Sequence, residues 1–299
     1  MNLKRISIVP WTLLMVLTLM SAAMGESYTL PVDSTKGPKP NPAGYISDTE
    51  YKDESLSVTL ESRKIGDSMY HIAWVKISDP SQLRTALAGP YGSQKTAKTT
   101  DIADKNNAVV AINGDYFQYR SGGYEVRQGE VLRKTPNTKL DLLVIDEAGD
   151  FHLFKKSNKK DLAAFLQEHT AVNALTFGPA LVIDGELQTI YNSYGFAPQD
   201  RAPRVGIGQT GPLQYVLVVV DGRQEGYSRG ITIKMLGEFM GELGCLQAFN
   251  LDGGGSATLA FNGVSYNSTS DKAERNISDI IYFASAVPES AYADNGKQE

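Results

Sequence analysis

Tyr215-Val216-Leu217-Val218-Val219-Val220-Asp221-Gly222-Arg223 is an uninterrupted apolar run that stops on an acid, a glycine and a base. Most of the run is valine, whose branched side chain suits a pleated surface better than a helix. A short run without alternation reads as a strand buried on both faces. Leu142-Leu143-Val144-Ile145 and Ala108-Val109-Val110-Ala111-Ile112 repeat the pattern. Residues 57–61 and 69–77 read as the two arms of a hairpin joined through Gly66-Asp67. Helical spacing is confined to residues 161–168 and 231–243. In the second, Ile231, Met235, Phe239 and Leu243 form an i, i+4 stripe, which reads as core packing. Strands and a few helices intermix without regular β-α alternation. The expected fold is therefore α+β: a mixed, largely antiparallel β-sheet core with a few packed helices.

Outside that core the chain divides by composition. Lys4 and Arg5 precede an apolar stretch from Ile6 to Met20 and a small-residue stretch, Ser21-Ala22-Ala23-Met24-Gly25. This is the pattern of a secretory signal peptide over residues 1–25, cut before Glu26. It predicts a secreted or extracytoplasmic protein whose mature form does not span a membrane. Residues 26–52 are rich in Pro, Gly, Lys, Asn and Ser and read as a flexible spacer. Residues 53–288 make the folded domain and 289–299 a polar tail. A net charge of −5 without a long basic run argues against nucleic acid as a partner. Cys245 is the only cysteine, which excludes an internal disulfide. His71, His152 and His169 show no ligand spacing with it, which argues against zinc.

Several apolar runs end like the first, in polar residues and glycine. They are Asn113-Gly114-Asp115-Tyr116-Phe117, Phe177-Gly178-Pro179-Ala180-Leu181, Arg201-Ala202-Pro203-Arg204-Val205-Gly206-Ile207-Gly208, and Asp221-Gly222-Arg223 with Ser228 and Gly230. The last is Asn250-Leu251-Asp252-Gly253-Gly254-Gly255-Ser256. Ends of neighbouring strands converge in space, so such loops assemble one site. Asp184-Gly185 reads instead as a plain hairpin turn. Three consecutive glycines cost conformational entropy, and a chain keeps them where backbone approaches something closely or takes a positive φ. Two Arg bracketing a Pro-stiffened turn, Arg201 and Arg204, suit either a solvated pair or bidentate capture of phosphate.

In order and spacing these motifs resemble the phosphodiester glycosidases, over most of the chain from about Ala108 to Phe283. The specific part is Asp221-Gly222-Arg223 leading through a helix to Asn250–Ser256. Two departures stand out: Asp115 where the family often has a second glycine, and Tyr116 where it has Phe. The resemblance implies hydrolysis of a sugar joined to phosphate through its anomeric oxygen.

Such a reaction needs a carboxylate at the anomeric carbon and stabilised charge on the departing phosphate. Asp252 is the expected base or nucleophile, with Asp115 and Asp221 as partner acid/base or as holders of sugar hydroxyls. Arg204, with Arg201 or Arg223, is expected on phosphate oxygens, and Ser228 belongs to the same set. The N–H groups of Gly253, Gly254, Gly255 and Ser256 offer an anion cradle, and Asn113 and Asn250 offer hydrogen bonds to the sugar. Tyr116, Phe117, Tyr119 and Tyr124 are candidate sugar-stacking faces. No cofactor is required by this reading. Asp115, Asp221 and Asp252 are nonetheless candidate oxygen ligands for Ca²⁺ or Mg²⁺. The competing class is a non-catalytic glycan- or phosphopolymer-binding protein of the cell envelope, using the same loops. Asn267-Ser268-Thr269 and Asn276-Ile277-Ser278 match the glycosylation pattern but read first as loop chemistry.

Overall fold

The computed structural model describes residues 33, 35–135, 137–271 and 273–293. The signal-like segment 1–25 lies outside them. The described residues form an α+β fold of three sheets, a nine-stranded one and two five-stranded ones. Every strand pairing among them is antiparallel, so the sheet expected as mixed is antiparallel throughout.

The opening run becomes the strand Gln214–Val220, in the middle of the nine-stranded sheet between Ser68–Ile77 and Arg204–Gly211. Its side chains alternate between two cores. Leu217 and Val219 pack inward with residues of the two smaller sheets, including Leu143, Ile112 and Ile281. Val216, Val218 and Val220 pack outward under the helix Ile233–Glu242. Burial on both faces is why no polar alternation survives in the sequence. The expected hairpin forms, with Leu56–Ile65 paired to Ser68–Ile77 across the Gly66-Asp67 turn.

The 233–242 helix is capped by Thr232, whose hydroxyl accepts from the Met235 N–H. Its buried face is Ile233, Leu236, Phe239 and Met240, with Met235 and Leu243 only partly covered. The contact stripe is thus rotated slightly from the one read by spacing. A Cβ on Gly208 would lie 2.5 Å from Cys245 Sγ, which locates the Val205-Gly206-Ile207-Gly208 glycines under this helix. Cys245 is buried, its thiol pushed up to about 12 by that burial.

A second helix, Lys159–Glu168, covers the outer face of the five-stranded sheet containing Asp141–Asp146 and Ala171–Phe177. A third, Thr99–Lys105, was not anticipated. It covers the sheet in which Val110–Asn113 lies between Leu259–Phe261 and Asp279–Phe283.

The spacer expectation does not hold for its second half. Tyr45–Ser47 and Glu50–Lys52 are edge strands of the large sheet, and Tyr51 is fully buried with its hydroxyl on Asp53. Upstream, Arg84 donates to the Asp33 carboxylate at 2.7 Å and Asn107 to the Gly37 carbonyl at 2.8 Å. These long-range bonds pin residues whose composition alone reads as linker. Among the described residues, no helix is long and apolar enough to cross a membrane.

Candidate active site

Strands from two of the sheets end side by side. The strand Val110–Asn113 runs into Gly114, whose N–H donates to the Asp279 carbonyl at 2.8 Å. The strand Gln247–Leu251 of the large sheet runs into Asp252, whose N–H reaches the Gly114 carbonyl. Asn113 is the rivet. Its amide donates to the Asp252 carbonyl at 2.7 Å, and its oxygen accepts from the Thr258 N–H at 3.2 Å. The backbone therefore consumes the Asn113 side chain, although Asn113 still borders the cavity.

That cavity has a volume of about 260 Å³. Its walls include Asp252, Ser256, Arg275, Asn276 and Asp279, and its mouth carries Tyr116 and Tyr119. Two glycines are explained by what they let approach. A Cβ on Gly255 would sit 2.2 Å from both Arg275 Nη2 and Asp271 Oδ2, so the Asp271–Arg275 pair lies directly over it. A Cβ on Gly114 would sit 2.2 Å from Asp279 Oδ2. Gly253 passes the Pro203 carbonyl, while Gly254 takes φ +60° with the Arg223 guanidinium beside it. The expected anion cradle is partly spent. Gly254 N–H donates to the Pro203 carbonyl at 2.9 Å, and Ser256 N–H to the Gly253 carbonyl.

Asp252 and Asp279 are the carboxylates on the cavity wall. Burial raises Asp252 above the ordinary range, with the Ser256 hydroxyl and the Arg275 charge pulling back. Burial likewise pushes Asp279 up to about 6; Arg127 opposes this and the Asp115 charge adds to it. Arg127 donates to Asp279 at 2.8 Å, and the Ser278 hydroxyl to its other oxygen at 3.0 Å.

Beneath them lies a buried charge network. Burial alone would raise Asp115, but Arg127 and Arg120 hold it below the ordinary range. Its oxygens also accept from the Phe117 and Thr176 N–H groups. Glu125 is raised well above the ordinary range by burial and then by the Asp115 charge. Three carboxyls against two guanidiniums balance when Glu125 keeps its proton. Arg120 also lies over the Phe177 ring, and its Nε and Nη1 are buried without a partner among the described residues.

The structure separates the residues predicted for the site. Asp252, Ser256, Asn113, Tyr116 and Tyr119 border the cavity, and Arg223 stands beside the glycine loop. Tyr116 and Tyr119 stack at 4.5 Å and are largely exposed. Phe117 and Tyr124 are buried instead. Asp115 lies below the cavity, with both oxygens occupied.

Asp221 is a buried hub away from the cavity. It accepts from His71 and Asn267 at 2.8 Å, Tyr227 at 2.9 Å and the Ser268 N–H at 3.2 Å. Ser228 donates to the Asp221 carbonyl at 2.6 Å. Arg204 directs its guanidinium to the Ile231, Phe196, Ala197 and Asp200 carbonyls, clamping a loop rather than facing a ligand. Arg201 pairs with Asp67 and the Gly230 carbonyl. Asn250 donates to the Gly178 carbonyl, leaving a buried Oδ1 without a partner among the described residues. Among the described residues, Asp115, Asp221 and Asp252, the candidate ligands for Ca²⁺ or Mg²⁺, do not fall in one group of clustered ligand atoms. Asn267, one of the two glycosylation-like asparagines, is buried on Asp221 and Ala257 and belongs to the scaffold.

Residues 106–284, more than half of the chain, match the family described as phosphodiester glycosidase. The chain belongs to the phosphodiester glycosidase family. It is 29% identical over 197 residues to the SPbeta prophage-derived uncharacterized protein YomE of Bacillus subtilis, covering 64% of this chain and 30% of that protein. It is 25% identical over 219 residues to mouse N-acetylglucosamine-1-phosphodiester alpha-N-acetylglucosaminidase, covering 68% of this chain and 42% of that enzyme. This phosphodiester glycosidase chain thus spans less than half the length of these relatives. In fold it is similar to the zebrafish enzyme's catalytic domain auto-inhibited by its pro-peptide, with TM-score 0.62 and 19% identity over 83% of this chain and 87% of that one. A hypothetical protein from Synechocystis shares the fold at TM-score 0.51 and 17% identity, over 79% of this chain and 64% of that one.

One site residue of this family member went unread in the sequence, and a second was legible only by its place in the chain. Asp279 opens an apolar strand and carries no motif of its own. Its one signal is an acid at the mouth of a buried run. Arg275 was legible only as a neighbour of that strand.

Proposed function

We propose that the protein hydrolyses the glycosyl–phosphate bond of a sugar-1-phosphodiester, releasing a free sugar and a phosphate monoester. One observation carries the reading: two carboxyls raised by burial share a small cavity with a guanidinium and a glycine loop. A carboxyl kept protonated beside a second that acts as carboxylate is the pairing glycosyl transfer through an oxocarbenium-like transition state uses. Asp252, the more accessible of the two, takes the position at the anomeric carbon as base or nucleophile. Asp279, protonated below about pH 6, supplies a proton to the departing phosphate oxygen. Arg275 and Arg223 neutralise charge on that phosphate, and bidentate donors suit its oxygens. The stacked Tyr116 and Tyr119 offer an apolar face to the sugar at the entrance. The cavity is below the usual range of drug-sized pockets and fits one sugar ring better than an oligosaccharide.

The charged and then apolar N-terminal stretch supports secretion. The substrate is then a phosphate-linked glycan of the cell envelope or its surroundings. N-acetylglucosamine is the first sugar to test, by likeness to the mouse N-acetylglucosaminidase. The test is a panel of sugar-1-phosphodiesters incubated with purified protein, with free sugar and phosphate monoester measured separately. Equal release of both supports the reading. Inorganic phosphate released with the sugar still esterified makes the protein a phosphatase. Saturable binding without any product makes it the envelope-binding module.

A further inference from the structure

The fold gathers two of the chain's three histidines around a pair of acids on the side of the sheet that carries the helix Lys159–Glu168. Asp146 ends the strand Asp141–Asp146, Glu147 follows it in the turn, and His169 closes the helix. One oxygen of each carboxylate is fixed by backbone N–H groups. Asp146 Oδ1 accepts from the Ala148 and Asp150 N–H groups, both at 2.9 Å. Glu147 Oε2 accepts from the Thr170 N–H at 2.7 Å. The other oxygens face His169 Nδ1, which stands 3.7 Å from Asp146 Oδ2 and 3.8 Å from Glu147 Oε1.

Those separations are too long for hydrogen bonds. They are close to the edge of a zinc tetrahedron, about 3.3–3.4 Å for bonds of about 2.0–2.1 Å. The three ligand atoms all lie within 4.8 Å of one another. The ligands are also held. Phe165 stacks on the His169 ring at 4.8 Å and 11°, and the His169 N–H is fixed to the Phe165 carbonyl. His152 Nε2 lies 2.8 Å from Asp146 Oδ2, a hydrogen-bond distance that makes it an orienting partner of the ligand.

We propose that Asp146, Glu147 and His169 form a binding site for a divalent transition cation of the zinc type. The cation is bound through two carboxylate oxygens and one imidazole, with the remaining position open to solvent. One nitrogen with two oxygens suits Zn²⁺ and Co²⁺ better than Ca²⁺, which takes six to eight oxygens. The expectation against zinc rested on sequence spacing, and His169 reaches Asp146 only through the fold. The bound ion would pin the end of the 159–168 helix to the Asp146 turn, apart from the sugar cavity.

The test uses the untagged full chain, stripped with chelator and incubated with Zn²⁺ or Co²⁺. The expected result is one equivalent retained after desalting, a visible Co²⁺ absorption band of tetrahedral intensity, and a melting temperature raised by about 3–8 °C at saturating metal. Glu147→Gln and His169→Ala should each weaken binding by about 10–100-fold and leave the metal-free melting temperature within about 2 °C, since both side chains lie near the surface. Retention below a tenth of an equivalent overturns the proposal. So does equal retention by the wild type and both variants.

Discussion

Asp279→Asn probes the buried network and the cavity wall together. Asp279 is almost fully buried and titrates in the folded protein at about 6, against 3.8 in an unfolded chain. A raised carboxyl binds more protons folded than unfolded between these values, so its contribution to stability falls as pH rises. The cost of ionising Asp279 in the fold therefore grows by roughly 1–2 kcal/mol between pH 5 and pH 7.5. That difference is present below the folded pKa and lost above it. Asparagine cannot titrate. Urea unfolding of the wild type and of Asp279→Asn at pH 5 and pH 7.5 should show it directly. Apart from the interacting Asp115 and Glu125, the titrating groups are shared, so the wild type should lose roughly 1–2 kcal/mol more than the variant over that interval. With a slope of about 3 kcal/mol/M, that is close to half a molar in the urea midpoint. Identical pH dependence in the two proteins would refute the placement of Asp279 and, with it, its role as proton donor.

The neighbouring acids should behave in opposite ways. Asp115→Asn leaves two guanidiniums under-compensated and should cost about 3–5 kcal/mol, whereas Glu125→Gln replaces a protonated acid by a neutral amide and should change the melting temperature little. Gly255→Ala should spare stability, since the clashing atoms end exposed side chains, but displace Arg275 and lower kcat/KM for a phosphodiester by about 10–100-fold. Among the arginines, Arg204→Lys should lower the melting temperature and leave KM near wild type, while Arg275→Lys should raise KM without destabilising the fold.

Much of the fold was written in local pattern. The 214–220 strand declared burial on both faces, and the 56–65 and 68–77 hairpin announced its turn. Asp252 was also legible, because the three glycines beside it have few structural uses. What local pattern could not distinguish was one strand-end acid from another. Asp221 is quenched by His71, 150 residues away, and by Asn267, 46 residues away. Asp115 is quenched by Arg127 and by a backbone N–H from Thr176, 61 residues on. Those partners meet only when the sheets pack, so three similar Asp-Gly-type motifs acquire three different chemistries. The same holds for Arg204, whose carbonyl partners are unremarkable loop residues until the chain folds around it.

The central claim is that Asp252 acts on the anomeric carbon of a sugar-1-phosphodiester. The most direct measurement is free-sugar release by Asp252→Asn and by the wild type, on the substrate the wild type turns over fastest and at matched folded concentration. The account expects the loss of at least about a thousandfold in kcat with the melting temperature within a few degrees, because a nucleophile or base is missing and the fold is intact. Turnover by Asp252→Asn within threefold of the wild type would contradict it.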